Sequence, residues 1–411
     1  MKTELVRLLL AVDLGGSGTK IVGGIQGEEG VKVSLMMPHC CEVKDTNELL
    51  FNLDFDEHDT WVKINGIGYA VGNLATTKYN ATNKLKPAKF TTAVPKICAA
   101  IAVFAQLFKL PAKFNLSITY VLPPAEWEQK TIVSADLRAA LKNLETPKGK
   151  IKAQLGLGLD FPQPEGKGIL LGQQIDLKTI QGAVTVIMLG YRNASVLSSA
   201  SGGMERPNTC DLGFSDLLKS IASKTGYKHD DIIVPVFNQK KYQQNIADYT
   251  NYCTDIRSRS RNYNSLGYAD DRDTLAHYEQ QITDNKEALS SALNPLLRCN
   301  GTDRRTELDH LIKCIDSANT EYWTKLTDWL DETMPNHSSY ICLSGGTANY
   351  FRDELESYAK TKMIYHEDRL RWHTKMEMPK ELNVSDDRYN DIYVLWTVLN
   401  KKILVASATK A

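Results

Sequence analysis

A glycine-rich turn near the amino terminus carries residue types that bind phosphate. An apolar run with strand composition ends at Asp13, and the turn that follows contains Gly15, Gly16, Ser17, Gly18, Thr19 and Lys20. Glycines in a turn can take positive φ and let backbone N–H groups approach an anion, while hydroxyl and ammonium groups add donors and charge. An acid beside such a turn can hold Mg²⁺ through its waters. The turn therefore predicts a triphosphate site in which Asp13 faces the metal ion.

The same glycines also fit a tight β-hairpin that binds nothing, because hairpin turns favour glycine for its backbone freedom alone. The segment does not contain the G-x-x-x-x-G-K-[ST] pattern of a Walker loop, and no helix pattern follows it. It does not contain the dinucleotide-binding glycine fingerprint either. This turn is therefore either a structural hairpin or a phosphate loop of another kind.

Two later turns repeat the combination of an apolar strand and glycine. The second turn contains Gly190, Tyr191, Arg192 and Asn193, whose polar groups can donate to phosphate. In the third, a strand leads to Gly345, Gly346 and Thr347 and then to a helix pattern. Paired glycines at such a turn let a flat heterocycle and its sugar lie against the backbone, and a helix N-terminus offers free N–H groups. For both turns the alternative is that the glycines serve only the turn geometry.

Composition narrows the class of protein. With 411 residues the chain is long enough for two or more domains. The chain has 49 basic residues (Lys and Arg) and 49 acidic residues (Asp and Glu), so its net charge does not favour direct contact with nucleic acid. The eight cysteines include no C-x-x-C pair, which is typical of reduced thiols. The sequence has no signal-peptide pattern and no apolar run of membrane-spanning length, so we expect a cytoplasmic protein that contacts no membrane.

Residue periodicity predicts the elements that position these turns. The segment from Lys96 to Leu110 is apolar almost all round, which is typical of a buried helix. Strand composition occurs around residues 8–12, 20–25, 31–36, 61–75, 116–122, 151–155, 168–177 and 184–197. Helix periodicity occurs around residues 215–223, 270–298 and 304–332. The hairpins at residues 8–22 and 184–197 share one pattern about half a chain apart, which predicts duplicated domains.

The three turns resemble the nucleotide loops of the actin, sugar-kinase and heat-shock chaperone superfamily. Asp13, Gly15 and Lys20 have the spacing of its first phosphate loop, and the second turn resembles its second phosphate loop. That second loop begins Asp-x-Gly in the superfamily, whereas Met188 stands here at the place of the acid. The third turn falls where the superfamily has its adenosine loop. The resemblance implies ATP or GTP with Mg²⁺ as ligands, and the replaced acid argues against rapid hydrolysis.

Four further segments resemble segregation actins of the ParM type. Leu122-Pro123 followed by Glu126 matches a strand that ends in Leu-Pro before the glutamate that positions the attacking water. Glu126 would equally suit the first turn of a helix without any catalytic function. Residues 69–75 match a Tyr-x-x-Gly-x-x-Ala segment ahead of the buried helix, and Glu205 is implied to lie near the ribose. Asn390 opens the last helix pattern, with Tyr393 in place of the usual glycine.

The resemblance implies an α/β protein with the actin-like fold, in which two duplicated ribonuclease-H-like domains enclose a nucleotide cleft. Domain I would span residues 1–180, domain II residues 181–385, and residues 386–411 would form a helix that returns to domain I. The implied activity is ATP hydrolysis coupled to filament formation, with a DNA-binding adaptor that links the filament to plasmid DNA for segregation. The alternatives are a nucleotide-binding scaffold that hydrolyses poorly and a small-molecule kinase of the sugar-kinase type.

Overall fold

The described part of the chain forms two β-sheets and eleven α-helices. The computed structural model describes residues 5–51, 56–81, 88–172, 183–200, 203–204, 207–262, 268–298, 302–335, 338–363, 370–372 and 387–408. The first sheet contains β1 (Arg7–Gly15), β2 (Gly18–Ile25), β3 (Val31–Met36), β4 (Cys40–Val43), β5 (Asp59–Ile64), β6 (Ile67–Gly72), β7 (Lys113–Leu122), β8 (Leu144–Thr146) and β9 (Gly149–Pro164). The second contains β10 (Ala183–Leu189), β11 (Ala194–Ala200), β12 (Gly203–Met204), β13 (Asn208–Cys210), β14 (Ser338–Ser344) and β15 (Leu370–Trp372). The helices are α1 (Asn73–Thr77), α2 (Ala93–Leu107), α3 (Lys130–Ala140), α4 (Lys167–Gly172), α5 (Phe214–Thr225), α6 (His229–Asn262), α7 (Tyr268–Leu293), α8 (Thr302–Thr333), α9 (Gly346–Tyr350), α10 (Arg352–Thr361) and α11 (Asn390–Ala408).

The two sheets repeat one arrangement of strands. In the first sheet β3, β2 and β1 form an antiparallel meander, and β7 and then β9 continue the sheet parallel to β1. In the second sheet β12, β11 and β10 form the meander, and β14 and then β15 continue parallel to β10. The hairpin turn of each meander comes directly after β1 or β10, the strand that is parallel to the rest of its sheet. Each turn therefore lies at the edge where the parallel strands end, which is where α/β proteins bind their ligands. The repeat confirms the duplication predicted from the two similar hairpins.

Helix α2 lies buried in the core of the first sheet's domain, as its composition predicts. Its residues from Pro95 to Ala105 are all buried, and they pack with apolar side chains of β1, β5 and β7. The helix begins at Ala93, three residues before the predicted start at Lys96. Pro95 is compatible with this start, because it lies in the first turn, where a backbone nitrogen has no partner within the helix in any case. Among the described helices, only the stretch Lys89–Leu107 is long and apolar enough to cross a membrane, and 67% of its most apolar window is buried inside the protein.

The last helix, α11, packs on the first sheet. Trp396 and Leu399 form a small core with Leu9 of β1 and Val22 of β2. The indole N–H of Trp396 donates a hydrogen bond to the carbonyl of Leu9 at 3.2 Å. Gly24 of β2 makes room for the indole, since a Cβ at this position would lie 2.7 Å from the ring. The chain thus returns from the second sheet to the first.

Contacts divide the chain into two compact units. One consists of Met1–Gly213 with Leu330–Ala411 and contains both sheets. The other, Phe214–Trp329, consists of α5, α6, α7 and most of α8. Inside this helical unit the rings of Phe214 and Phe237 lie 4.9 Å apart, and the side-chain amide of Gln239 donates to Asp316 at 3.1 Å.

Two parts of the chain differ from the predicted elements. Residues 168–172, predicted as a strand, belong to helix α4, and residues 173–177 lie outside the described residues. The carboxylate of Asp391 explains the helix, because it accepts hydrogen bonds from the N–H groups of Gly166 at 2.9 Å and Ile169 at 3.1 Å and so caps the first turn. The long helix α6 is not among the predicted helices, because its mostly polar sequence has no regular apolar stripe.

Candidate functional site

The turn between β1 and β2 faces the turn between β10 and β11 across a small pocket. A Cβ on Gly16 of the first turn would lie 3.2 Å from the Cβ of Arg192 in the second, so the two turns are nearly in contact. The cavity between them has a volume of about 40 Å³. Its walls are formed by Asp13, Gly15, Gly16, Ser17, Lys20, Lys89, Glu165, Met188, Gly190, Tyr191, Arg192 and Asn193. The structure thus brings together most of the residues predicted for the two phosphate loops.

The first turn holds a buried ion pair. Asp13 and Lys20 lie opposite each other in the β1–β2 ladder, and the Lys20 ammonium is 2.5 Å from a carboxylate oxygen of Asp13. Their side chains are only 7% and 10% exposed. The hydroxyl of Thr19 is buried and has no hydrogen-bond partner in the protein. Thr19 is fully buried, and neither it nor Gly18, both predicted to bind the nucleotide, is among the residues that line the pocket.

The glycines of the first turn are needed for space rather than for positive φ. Gly15, Gly16 and Gly18 are not among the glycines with positive φ, so the prediction that they take positive φ is wrong. A Cβ on Gly15 would lie 2.7 Å from the carbonyl oxygen of Gly18 and 2.9 Å from the ammonium of Lys20. A side chain at position 15 would therefore displace the lysine from the pocket.

The second turn repeats the first without its ion pair. Met188 and Ser195 lie opposite each other in the β10–β11 ladder, where the first turn has Asp13 and Lys20. Met188 lines the pocket. The side-chain amide of Asn193 donates to Asp211 at 3.0 Å, whereas its oxygen is buried and has no hydrogen-bond partner in the protein.

The third turn packs against the second. Gly345 has a φ of 106°, and a Cβ there would lie 2.1 Å from the carbonyl oxygen of Leu189, so no other residue fits this position. The hydroxyl of Thr347 donates to the carbonyl of Gly190 at 2.7 Å. At Gly346 a Cβ would meet no atom within 4 Å, so one face of its backbone is open. The three glycine turns thus converge, while Glu205 lies outside the described residues.

Glu126 is held by backbone groups of another element. Its two carboxylate oxygens accept hydrogen bonds from the N–H groups of Lys89 and Phe90, each at 2.9 Å. These N–H groups begin the short 3₁₀ turn Lys89–Thr92 that leads into α2. One oxygen also lies 3.9 Å from the guanidinium of Arg192. The carboxylate therefore caps the entrance of the buried helix, and Glu126 is not among the residues that line the pocket.

Glu165 and Lys89 line the pocket and were not predicted. Glu165 follows the end of β9, and its N–H donates to the carbonyl of Leu122 at the end of β7, at 3.0 Å. Its carboxylate forms an ion pair with the Lys89 ammonium, and the two side chains are 7% and 10% exposed. Burial by itself would lower the pKa of Lys89, but the carboxylates of Glu165 and Asp13 outweigh it, and the pKa of Lys89 is raised. Lys89 therefore stays charged.

The charges around the pocket favour an anion. Three cationic side chains line the pocket, those of Lys20, Lys89 and Arg192, against two carboxylates, those of Asp13 and Glu165. Beyond the lining, the Lys96 ammonium and the Asp391 carboxyl group also act on these charges. Lys96 lies on α2, and burial lowers its pKa to about 8, so it is mostly protonated at pH 7. A phosphate group would offset the excess of positive charge.

The carboxylates also fit a hydrated metal ion. Among the described residues, no group of three or more His, Cys, Asp or Glu side chains is arranged to hold a metal ion directly. Mg²⁺ does not require such a group, because it keeps several waters and takes one or two carboxylates together with the phosphates of its ligand. Asp13 and Glu165 are the two carboxylates that line the pocket. The residues present therefore fit Mg²⁺ held with a nucleotide.

Comparison with known proteins identifies the fold. No protein-family model matches the chain, and no curated protein matches it. The structure is similar to that of ParM in a 15-stranded filament from Clostridium botulinum, with a TM-score of 0.52 and 14% identity over 97% of this chain and 100% of that one. It is also similar to a Bacillus thuringiensis ParM hybrid protein with ADP, with a TM-score of 0.51 and 12% identity over 97% of this chain and 49% of the hybrid, which contains two ParM mutants.

The chain is an α/β protein with the actin-like fold. Within that class, both of these structural neighbours are ParM proteins. The resemblance that was drawn from the three glycine turns is thereby confirmed at the level of the fold. The roles of the individual residues stay predictions.

Proposed function

We propose that this protein is a nucleotide-dependent, filament-forming actin-like ATPase. The observation that carries the proposal is the pocket between the first two glycine turns, which three cations and two carboxylates line and against which the third turn is held by its contact with the second. The neighbours with the same fold include a ParM from a filament and a ParM hybrid with ADP, which supports both parts of the proposal. Phosphoryl transfer requires mainly positioning and charge stabilisation, and this set of residues can provide both.

Each group around the pocket has a role in this proposal. Lys20 and the backbone N–H groups of the first two turns bind the phosphates, and the open backbone face at Gly346 receives the adenosine. Asp13 would hold Mg²⁺ through its waters, and the metal ion would neutralise phosphate charge. We assign the positioning of the attacking water to Glu165 instead of Glu126. The Glu165 carboxylate lines the pocket, whereas both Glu126 oxygens are engaged by backbone N–H groups.

The two halves of the site must separate to admit a nucleotide. Ligand pockets usually have volumes of about 300–1,000 Å³, whereas the cavity here measures about 40 Å³, which is space for a few waters. A Cβ on Gly16 would lie 3.2 Å from the Cβ of Arg192, so little space separates the first and second turns, and in this proposal they move apart when the nucleotide binds. Such a change of shape could link nucleotide binding to assembly, because a filament contact favours one shape over the other.

The cellular role follows from the same proposal. We assign the protein to the cytoplasm and to plasmid or DNA segregation, with two actin-like domains at residues 1–180 and 181–385. Contact with DNA would go through an adaptor protein, since the chain has equal numbers of acidic and basic residues and no basic field of its own.

Electron microscopy of the purified protein tests the proposal directly. We expect filaments with ATP and Mg²⁺ and none without nucleotide, together with phosphate release that rises steeply above a threshold protein concentration. Lys20→Ala should abolish both, whereas the exposed Lys142→Ala should change neither. Nucleotide-independent filaments would contradict the proposal. Phosphate release that depends on an added sugar and not on protein concentration would instead indicate a kinase.

Met188 supports a second candidate function, a nucleotide-binding scaffold with weak hydrolysis. Its thioether lines the pocket at the place of the acid that helps to hold the metal ion and the water. A scaffold predicts filaments that form with nucleotide but release phosphate no faster in the wild type than in a Glu165→Gln variant. Met188→Asp should then raise the rate of hydrolysis. A wild-type rate far above that of Glu165→Gln would favour the ATPase.

A further inference from the structure

Lys89 brings a second lysine into the pocket from outside the glycine turns. It belongs to the short 3₁₀ turn before α2, and its side chain is 10% exposed. Its ammonium pairs with Glu165, and Asp13 and Glu126 act on it electrostatically. The proposed nucleotide site does not require this lysine, because Lys20 already serves as the lysine of the first turn. The presence of a second buried cation needs an explanation of its own.

The backbone of Lys89 is fixed, whereas its side chain can rotate. Glu126 accepts the N–H groups of Lys89 and Phe90, so the start of the side chain is held in place. From this anchored point a flexible stem of four carbons leads to an ammonium with three rotatable donors. The ammonium can therefore change its partner without movement of the backbone. Glu126 acts here as a positioning residue for Lys89.

The pocket contains two parallel pairs of lysine and carboxylate. Lys20 pairs with Asp13 and Lys89 pairs with Glu165, and all four side chains line the cavity of about 40 Å³. A buried charge requires a partner, since an isolated one is strongly destabilising. Each lysine neutralises a carboxylate that a bound nucleotide and its metal ion would engage. The phosphates carry more negative charge than a carboxylate and would compete for both lysines.

We propose that Lys89 exchanges partners: it neutralises Glu165 while the pocket holds no nucleotide, and it moves to a phosphate group when a nucleotide binds, which frees the Glu165 carboxylate for the attacking water. This inference rests on the proposed nucleotide site. It makes Lys89 a specific sensor of phosphate, because only an anion in the pocket releases Glu165. Water activation is thereby restricted to the occupied site.

The exchange predicts opposite effects of two substitutions on the affinity for ADP in EDTA, where no metal ion takes part. Lys89→Met removes a charged hydrogen bond to phosphate and should weaken binding by about tenfold or more. Glu165→Gln removes the competitor for the lysine and should tighten binding. In the double variant the gain from Glu165→Gln should vanish, because the lysine it would release is absent. Isothermal titration calorimetry measures all four affinities, and circular dichroism verifies that each variant is folded.

The double variant separates exchange from a simple charge effect. If Glu165 only repels the phosphates, Glu165→Gln tightens binding equally in both backgrounds, and the inference is overturned. It is also overturned if Glu165→Gln weakens binding or leaves it unchanged. Glu145→Gln, which removes the acid of an exposed pair with Lys150, is the matched control and should change nothing. If Lys89→Met does not fold, Lys89→Gln replaces it in both backgrounds. A wild type that binds no ADP would overturn the proposed function itself.

Discussion

Substitution of two adjacent glycines should separate the stability of the site from its ability to bind a ligand. Gly345 has a φ of 106°, and a Cβ there would lie 2.1 Å from the Leu189 carbonyl oxygen. With a ψ of 156° as well, this backbone conformation is essentially confined to glycine, and alanine there costs about 1–3 kcal/mol; forcing a methyl group into packed backbone costs about 1–3 kcal/mol more. We therefore expect Gly345→Ala to lower the free energy of unfolding by about 2–6 kcal/mol.

The neighbouring Gly346 is the matched control. Its Cβ would meet no atom within 4 Å, and it opens helix α9, where alanine is favoured over glycine by up to about 1 kcal/mol. Gly346→Ala should leave the free energy of unfolding unchanged or slightly raised. If its open backbone face receives the adenosine, the same substitution should weaken ADP binding.

Urea unfolding followed by circular dichroism, together with ADP titration, tests both expectations. A Gly345→Ala variant within about 0.5 kcal/mol of the wild type would refute the steric reasoning, since that is the usual range for a neutral surface change. A Gly346→Ala variant that binds ADP as tightly as the wild type would refute the assignment of the adenosine to this turn.

Three further predictions concern the surroundings of the pocket. Glu126→Ala leaves the N–H groups of Lys89 and Phe90 without acceptors and should destabilise the fold by about 1–3 kcal/mol in urea unfolding, whereas the matched Glu128→Ala should not. Burial, reinforced by nearby carboxylates, raises the pKa of Asp391 to about 7. The folded state thus binds this proton more tightly than the unfolded state, in which the pKa is 3.8, and the associated stability is lost as the pH rises from about 4 to about 7. Asp391→Asn should therefore flatten the pH dependence of unfolding over that range. Trp396→Phe removes the hydrogen bond to the Leu9 carbonyl of β1 and should lower the free energy of unfolding by about 1 kcal/mol. The melting temperature should fall accordingly, and an unchanged melting temperature would show that this hydrogen bond does not stabilise the fold.

Much of the fold could be predicted, because many of its strands, turns and helices depend on residues that are neighbours in the sequence. The run before Asp13 and the run before Gly190 are short, apolar and end in glycine, and a strand followed by a tight turn is the conformation that such residues favour. The apolar surface of α2 has to be buried wherever the helix forms, so its place in a core follows from composition. By contrast, the strand prediction stops at residue 155, because the rest of β9 contains Gly156, Gly158 and two prolines; the pairing of residues 160–164 with β7 makes that part a strand.

The amino-acid sequence by itself determined the three glycine turns, the strands that precede them and the duplication of the hairpin, since each depends on neighbours in the chain. Only the tertiary structure decided which carboxylate faces the pocket. Glu126 and Glu165 both follow strands of the first sheet, yet the N–H groups of Lys89 and Phe90 bind one and the Lys89 ammonium binds the other. Lys89 is 37 residues from Glu126 and 76 residues from Glu165 along the chain, so no local sequence pattern indicates either contact. The three residues meet only because the parallel strands of the sheet end at the same edge.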